Sequence, residues 1–263
     1  MTGMTCWISP EEATAAIGRG RGKGVRIAIL DSGVESDHPG LGNLALADDV
    51  AIVEDGSRLR VVRGDGDQFG HGTAIAGILR SVAPEAELGS FRVLGESLAA
   101  RTAIIVEGAR LAIERGYHIL NCSFGCAIPE HVLYHKRWVD EAYLGGVHIV
   151  AACNNHDFAR AEWPGSFSSV FTVNMARTGI DGCVFYKTGT LVEFSAPGVG
   201  VEVAWRDGLT KKVTGSSFAA PRVAGMLACL LSEKPGIRPL QAKALFHRIA
   251  QPWTREVRAP NEQ

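Results

Sequence analysis

The chain has 263 residues, 46% of them apolar and 21% charged, which is enough to bury one sizeable core in a single domain spanning 1–263. Its 27 basic and 28 acidic side chains leave a net charge of -1, so no field exists to hold a polyanion; nucleic acid is excluded as a partner, and peptides or proteins are expected instead. No segment reaches the ~18 consecutive apolar residues of a membrane span, and residues 1–20, a short lead-in with Glu11 and Glu12, lack the unbroken apolar run of a signal peptide. Six cysteines (Cys6, Cys122, Cys126, Cys153, Cys183, Cys229) are scattered without C-x-x-C spacing. Cys122, Cys153 and Cys229 stand in apolar runs, where thiols act as small hydrophobes. Reduced cysteines in a cytoplasmic protein, with no metal and no cofactor, are therefore expected.

Along the chain, residues 25–30 (VRIAIL) form an apolar run broken only by Arg26 and end at Asp31-Ser32-Gly33, a buried strand meeting a turn. A short helix is expected over 71–79, a strand over 88–94, and a helix over 99–115 with Gly116 at its C-terminal stop. A strand at 118–122, a helix at 132–144 and a strand at 147–152 follow. This alternation predicts an α/β fold, doubly wound, with a mostly parallel sheet and helices on both faces. Between 169 and 195 the helical period gives way to short β-type runs (170–174, 183–186, 191–194). Helical patterning returns at 217–232 and 240–249, and 254–263 reads as a solvated tail.

Peptide hydrolysis needs a nucleophile, a base, a carboxylate to orient the base, and donors for the developing oxyanion. Three segments offer such groups. Asp31 stands at the carboxyl end of an apolar strand, where open α/β sheets place their sites, although an Asp there is otherwise an ordinary turn former. His71 lies between Gly70 and Gly72 at the start of a helix of small residues, so backbone and substrate can approach the imidazole closely. Ser217, in Thr214-Gly215-Ser216-Ser217-Phe218-Ala219-Ala220-Pro221, opens an apolar helix whose free N–H groups and dipole stabilise negative charge, though a serine there also serves as a plain cap.

Taken together, the DSG motif after a strand, HGT opening a helix and a G-[TS]-S-x-A-x-P motif opening another, in the order Asp, His, Ser, resemble the subtilisin family of serine proteases over about residues 25–225. The resemblance implies a three-layer subtilisin-like fold and an endopeptidase with Ser217 as nucleophile, His71 as general base then acid, and Asp31 fixing the imidazole tautomer. Cys153-Asn154 is similar to the end of the family's A-A-G-N segment, which implies an oxyanion role for the Asn154 side chain. Ser123, Phe124 and Gly125 look like the strand walling the S1 pocket, and Gly95 like part of the backbone that pairs with an extended substrate. Glu162, just before Trp163-Pro164-Gly165, is similar in place to the residue at the base of S1, where a carboxylate favours Lys or Arg at P1. Arg160 stands close enough in sequence to neutralise it.

Departures from the family pattern are Ala74 for a second His, Cys153 for Gly, Phe218 for Met and Arg222 for His, with Cys153 adding a side chain near S1. The passage from Gly77 to Pro84 leaves no room for the family's calcium loop, and Asp65 and Asp67 are read as loop solvation. With the first core strand at residue 25, no prodomain is expected, so a dedicated substrate or a regulatory partner is expected to restrain activity. The alternative reading is a catalytically inactive peptide-binding module of the same fold. An esterase of the α/β-hydrolase type is contradicted by the residue order and by the lack of G-x-S-x-G.

Overall fold

A computed structural model describes residues 7–155, 160–177, 182–187, 189–190, 192–254 and 257. In chain order the elements are α1 (Pro10–Arg19), β1 (Arg26–Asp31), β2 (Asp48–Asp55), β3 (Arg58–Arg63), α2 (His71–Val82), β4 (Glu87–Arg92), α3 (Thr102–Glu114), β5 (Ile119–Cys122) and α4 (Val132–Gly145). They continue with β6 (His148–Ala152), β7 (Phe171–Ala176), β8 (Phe185–Tyr186), β9 (Phe194–Pro197), β10 (Val201–Trp205), β11 (Leu209–Val213), α5 (Ser216–Glu233), α6 (Pro239–Ile249) and β12 (Gln251–Pro252).

Ten strands form one sheet in the order β12-β8-β9-β7-β6-β5-β1-β4-β2-β3, and β10 and β11 form a separate ribbon. From β9 to β2 all pairings are parallel, while β3 joins β2 and β8 joins β9 antiparallel, and β12 runs parallel to β8. The central strands are buried on both faces, which is why they read as continuous apolar runs. Successive residues of β1 feed opposite cores. Ile27 and Ile29 join α1, α2, α5 and α6 on one face, whereas Ala28 and Leu30 join α3 and α4 on the other. Arg26, the charged residue opening β1, is satisfied by an ion pair to Asp48 (3.1 Å) and by stacking 4.2 Å over the Tyr117 ring.

Three expectations are corrected. Within the 1–20 lead-in lies α1, closed by a capping box in which Ser9 Oγ accepts from the Glu12 N–H and Glu12 accepts from the Ser9 N–H; its Ala13 and Ala16 are fully buried and it packs on α5. Of the 254–263 tail, Val257 is buried beside Phe185 and Ala176, so that position is core rather than solvated; of the rest only Thr254 lies within the described residues. The expected strand at 191–194 begins on Leu191, outside the described residues, and the strand found there is β9. The edge pair β2–β3 and the ribbon β10–β11 had no counterpart in the sequence reading.

Among the described residues no helix is long and apolar enough to cross a membrane. The five described cysteines are free thiols; Cys122, Cys153 and Cys229 are buried, as expected of packing residues, and Cys6 lies outside the described residues.

Two buried histidines tie stability to pH. Burial pushes His135 in α4, with His131 nearby, down to about 4. Burial likewise pushes His148 in β6 down to about 4, although it bonds the Ile237 carbonyl (3.1 Å). Both are neutral in the fold down to that value, while in the unfolded chain they bind protons below about 6.5. The unfolded state therefore gains protons first, and stability falls as pH drops from about 6.5 to 4, by up to about 3 kcal/mol for each histidine. Melting curves between pH 7 and 4 should show this loss, and His148→Gln, which keeps a donor for Ile237, should flatten it measurably; an identical slope in the variant would remove His148 from the account.

Candidate active site

The site assembles at the carboxyl ends of the parallel strands, where α2 and α5 begin. Asp31, the last residue of β1, is fully buried, and its Oδ1 accepts from the Ser32 N–H (2.8 Å). The His71 Nδ1 lies 2.8 and 3.0 Å from the two carboxylate oxygens. That bond puts the imidazole proton on Nδ1 and leaves Nε2 as the base. Burial draws the His71 pKa down, but the Asp31 charge and hydrogen bond, with a further contribution from Asp67, outweigh it, so His71 sits above the usual histidine value.

Close approach requires glycine at two points. A Cβ on Gly72 would stand 2.0 Å from the Gly33 carbonyl oxygen, and Gly70, at φ 108°, leaves no room for one against the Trp205 ring. The ribbon β10–β11 thereby backs the His71 turn, with Phe69 packed edge-on to Trp205 and Arg206 donating to the Gln68 carbonyl.

Ser217 occupies the first turn of α5, where N–H groups have no intrahelical acceptor. Pro221, inside that helix, lacks the N–H that would bond the Ser217 carbonyl four residues back. The Ser123 hydroxyl fills that place, donating to the Ser217 carbonyl (3.1 Å) while accepting from Asn121 Nδ2 (3.0 Å). Ser216 is tied down as well: its N–H donates to Asn155 Oδ1 (2.8 Å) and its hydroxyl to the Cys153 carbonyl (2.6 Å). The backbone at Ser216 and Ser217 is thus held from two strand ends. The Ser217 hydroxyl donates to the Ser123 carbonyl at 3.3 Å. Attack requires it to turn to His71 Nε2, a contact that commonly tightens only with substrate bound. The Phe218 ring lies 5.3 Å from the imidazole, centroid to centroid, so the α5 turn abuts His71.

Asn154 follows β6, and its Nδ2 donates to Glu162 Oε1 (2.7 Å). Glu162 is held beside the wall segment 123–125 because Cys126 and Trp163 exchange backbone hydrogen bonds (2.8 and 2.9 Å). Its carboxylate lies against Gly125, where a Cβ would approach to 2.5 Å. Arg160 is exposed and lines the same narrow hollow as Glu162, and no ion pair between the two is found among the described residues. Cys153 turns its thiol inward to Asn174 Oδ1 (3.5 Å) and lines a narrow hollow with Asn154, Glu162 and Thr172. Phe124 is half-buried beside this wall. At Gly95 the N–H donates to Ala99 and the carbonyl accepts from Leu98 within its own turn, so pairing with a substrate would have to replace or share these bonds. Among the described residues no group of three or more His, Cys, Asp or Glu side chains could hold a metal ion.

One functional residue was misread. Asp67 is not loop solvation: its carboxylate accepts five hydrogen bonds, from Ser32 Oγ, from the N–H groups of Phe69, Gly70 and Thr73, and from Thr73 Oγ1, at 2.6–3.0 Å. It caps α2 from three residues before the helix cap and links the Asp31 turn to the His71 turn. The spacing D-x-x-G-H was the available signal.

Fold and site define a serine hydrolase with an Asp-His pair and a helix-borne serine at the strand ends of a doubly wound sheet. Residues 22–261 match the family model described as Subtilase family, Peptidase_S8, and the chain belongs to that family. It is by family and fold a subtilisin-like serine endopeptidase. M-protease of Shouchella clausii is 30% identical over 249 residues, covering 90% of this chain and 62% of that protein. Subtilisin Savinase of Lederbergia lenta is 30% identical with coverage of 90% and 87%. Among solved structures, a cold-adapted subtilisin-like serine proteinase superposes with a TM-score of 0.72 at 26% identity, covering 88% of this chain and 83% of that one. Sphericase gives 0.73 at 25%, covering 87% and 83%.

Asp67→Asn should lower kcat about 10- to 100-fold, because the two turns carrying Asp31 and His71 lose their shared anchor. Removing a negative charge that raises the His71 pKa should also move the acid limb of the kcat/KM profile to lower pH. A pH-rate series on wild type and variant measures both, and an unmoved limb with normal kcat would reduce Asp67 to a helix cap.

Proposed function

We propose that the chain hydrolyses peptide bonds through an acyl-enzyme on Ser217, with His71 as general base and then acid, Asp31 holding the imidazole, and Asn154 with the Ser217 N–H receiving the oxyanion. The observation that carries this reading is the buried Asp31–His71 hydrogen bond facing the first turn of α5, which abuts the imidazole. Ser217→Ala and His71→Ala should each abolish nearly all turnover without loss of fold, since triad members act as a unit. A fluorophosphonate probe should label wild type and not Ser217→Ala. Asn154→Ala should lower kcat roughly 10²–10³-fold with little change in KM. Labelling of both proteins, or a tenth of wild-type kcat in either triad variant, would point to another nucleophile, whereas labelling of neither with no turnover in wild type would support the inactive, peptide-binding alternative.

The finer reading concerns the substrate. A half-buried Glu162 carboxylate against Gly125, without Arg160 as a partner among the described residues, supports Lys or Arg at P1 through charge-assisted hydrogen bonds. A dedicated protein substrate or a gating partner in the cytoplasm accords with free, largely buried thiols and a near-neutral net charge. Peptides differing only at P1 (Arg, Leu, Phe) should show highest kcat/KM for Arg on wild type and loss of that preference in Glu162→Gln. Faster cleavage of Leu or Phe by wild type rules out the P1 reading.

A further inference from the structure

The contact between Glu162 and Asn154 joins two groups with separate duties, one reading the P1 side chain and the other stabilising the oxyanion. Both ends of Glu162's backbone are fixed: its N–H donates to Ser166 Oγ (2.9 Å) and its carbonyl accepts from the Ser166 N–H (2.7 Å). The side chain therefore supplies the movement. One carboxylate oxygen takes the Asn154 Nδ2 donor at 2.7 Å, and the other lies against Gly125. An N–H engaged by a carboxylate forms one of the stronger kinds of hydrogen bond, and an oxyanion must compete with it.

We propose that Glu162 holds the Asn154 amide in the empty enzyme and that a basic P1 side chain, by drawing the carboxylate to itself, releases the amide to the oxyanion. Recognition of P1 is thereby coupled to the chemical step. The inference rests on the P1 reading given above and goes beyond it. A charged residue at the base of a specificity slot, acting alone, acts on ground state and transition state alike and appears in KM. A residue that also restrains an oxyanion donor appears in kcat, because the released bond is made only in the transition state.

The test measures kcat and KM separately for peptide anilides differing only in P1, Arg against Leu, on wild type, Glu162→Ala, Asn154→Ala and the double variant of the full chain. In wild type, Arg should exceed Leu in kcat by at least tenfold. Glu162→Ala should raise kcat for the Leu peptide about tenfold and erase the advantage of Arg. In the Asn154→Ala background the same substitution should change kcat for Leu less than twofold, since the pair acts through one contact. Glu162→Gln, which keeps the side-chain shape, guards against misfolding and should lose the Arg advantage in kcat. An Arg preference lying wholly in KM, with kcat for Leu unmoved in Glu162→Ala, leaves the P1 reading standing and overturns the coupling. A wild-type preference for Leu overturns both. A gain for Leu that persists undiminished without Asn154 overturns the coupling as well.

Discussion

The buried bond between Asp31 and His71 is the constraint around which the rest of the site is arranged. A carboxylate with no solvent exposure is tolerable only if its oxygens are satisfied, and here they accept from Ser32 N–H and from His71 Nδ1. To bring those partners together, a strand end and a helix start must meet at backbone contact. That is why Gly72 lies so near the Gly33 carbonyl and why Asp67 bridges the two turns. Remove the close packing and the carboxylate is left partly unpaired in a dry place, so the fold has its own reason to keep the pair that the chemistry uses.

The nucleophile has the opposite requirement. Ser217 must stay reachable while its backbone does not move, and the structure meets both by fixing its neighbours. Pro221 frees the Ser217 carbonyl, and Ser123 captures it from the end of β5. Asn155 and Cys153, beyond the end of β6, secure Ser216. A proline inside a helix usually costs a hydrogen bond. Here the freed acceptor is reused to register the helix start against two parallel strands, which places the serine relative to the sheet that also carries Asp31.

How much of this was legible follows from the kind of signal each part leaves. Strands buried on both faces announce themselves as apolar runs, so β1, β5 and β6 were readable, as were the amphipathic helices between them. The strands β2 and β3 carry Asp48, Asp49, Glu54, Asp55, Arg58, Arg60 and Arg63, charges that reach solvent or pair near the sheet edge; they leave only the four-residue run Val50-Ala51-Ile52-Val53 in β2 and an arginine-broken pattern in β3, a weak signal. The ribbon β10–β11, with Lys211 and Lys212, is hidden for the same reason. α1 was legible in principle through Ser9-Pro10-Glu11-Glu12, a capping box with proline at the first helical position, but its buried face is only alanine. The segments carrying Asp31, His71 and Ser217 were readable because their local wording is constrained by close backbone approach. Asp67 left only the spacing D-x-x-G-H ahead of the histidine, and the Glu162–Asn154 contact left nothing, because a carboxylate that binds a distant amide imposes no pattern on its neighbours.

The departures from the family pattern fall on α2 (Ala74), on α5 (Phe218, Arg222) and just past β6 (Cys153), none of them within the sheet, and geometry gives the reason. Asp31, Ser123 and the segment after β6 are placed by parallel strand register, which a single side chain cannot shift without moving a whole strand past its neighbours. The S1 side is placed by the Cys126–Trp163 bridge and by side chains with room to turn, Cys153 inward to Asn174 and Glu162 across to Asn154. A change there alters what the slot admits and leaves the reacting groups where they are. Specificity can therefore vary on a scaffold whose chemistry is held by the sheet. The Glu162–Asn154 bond is a point at which the adaptable side of the site reaches the proposed oxyanion donor, and under the proposed coupling it is there that a change of substrate is felt as a change of rate.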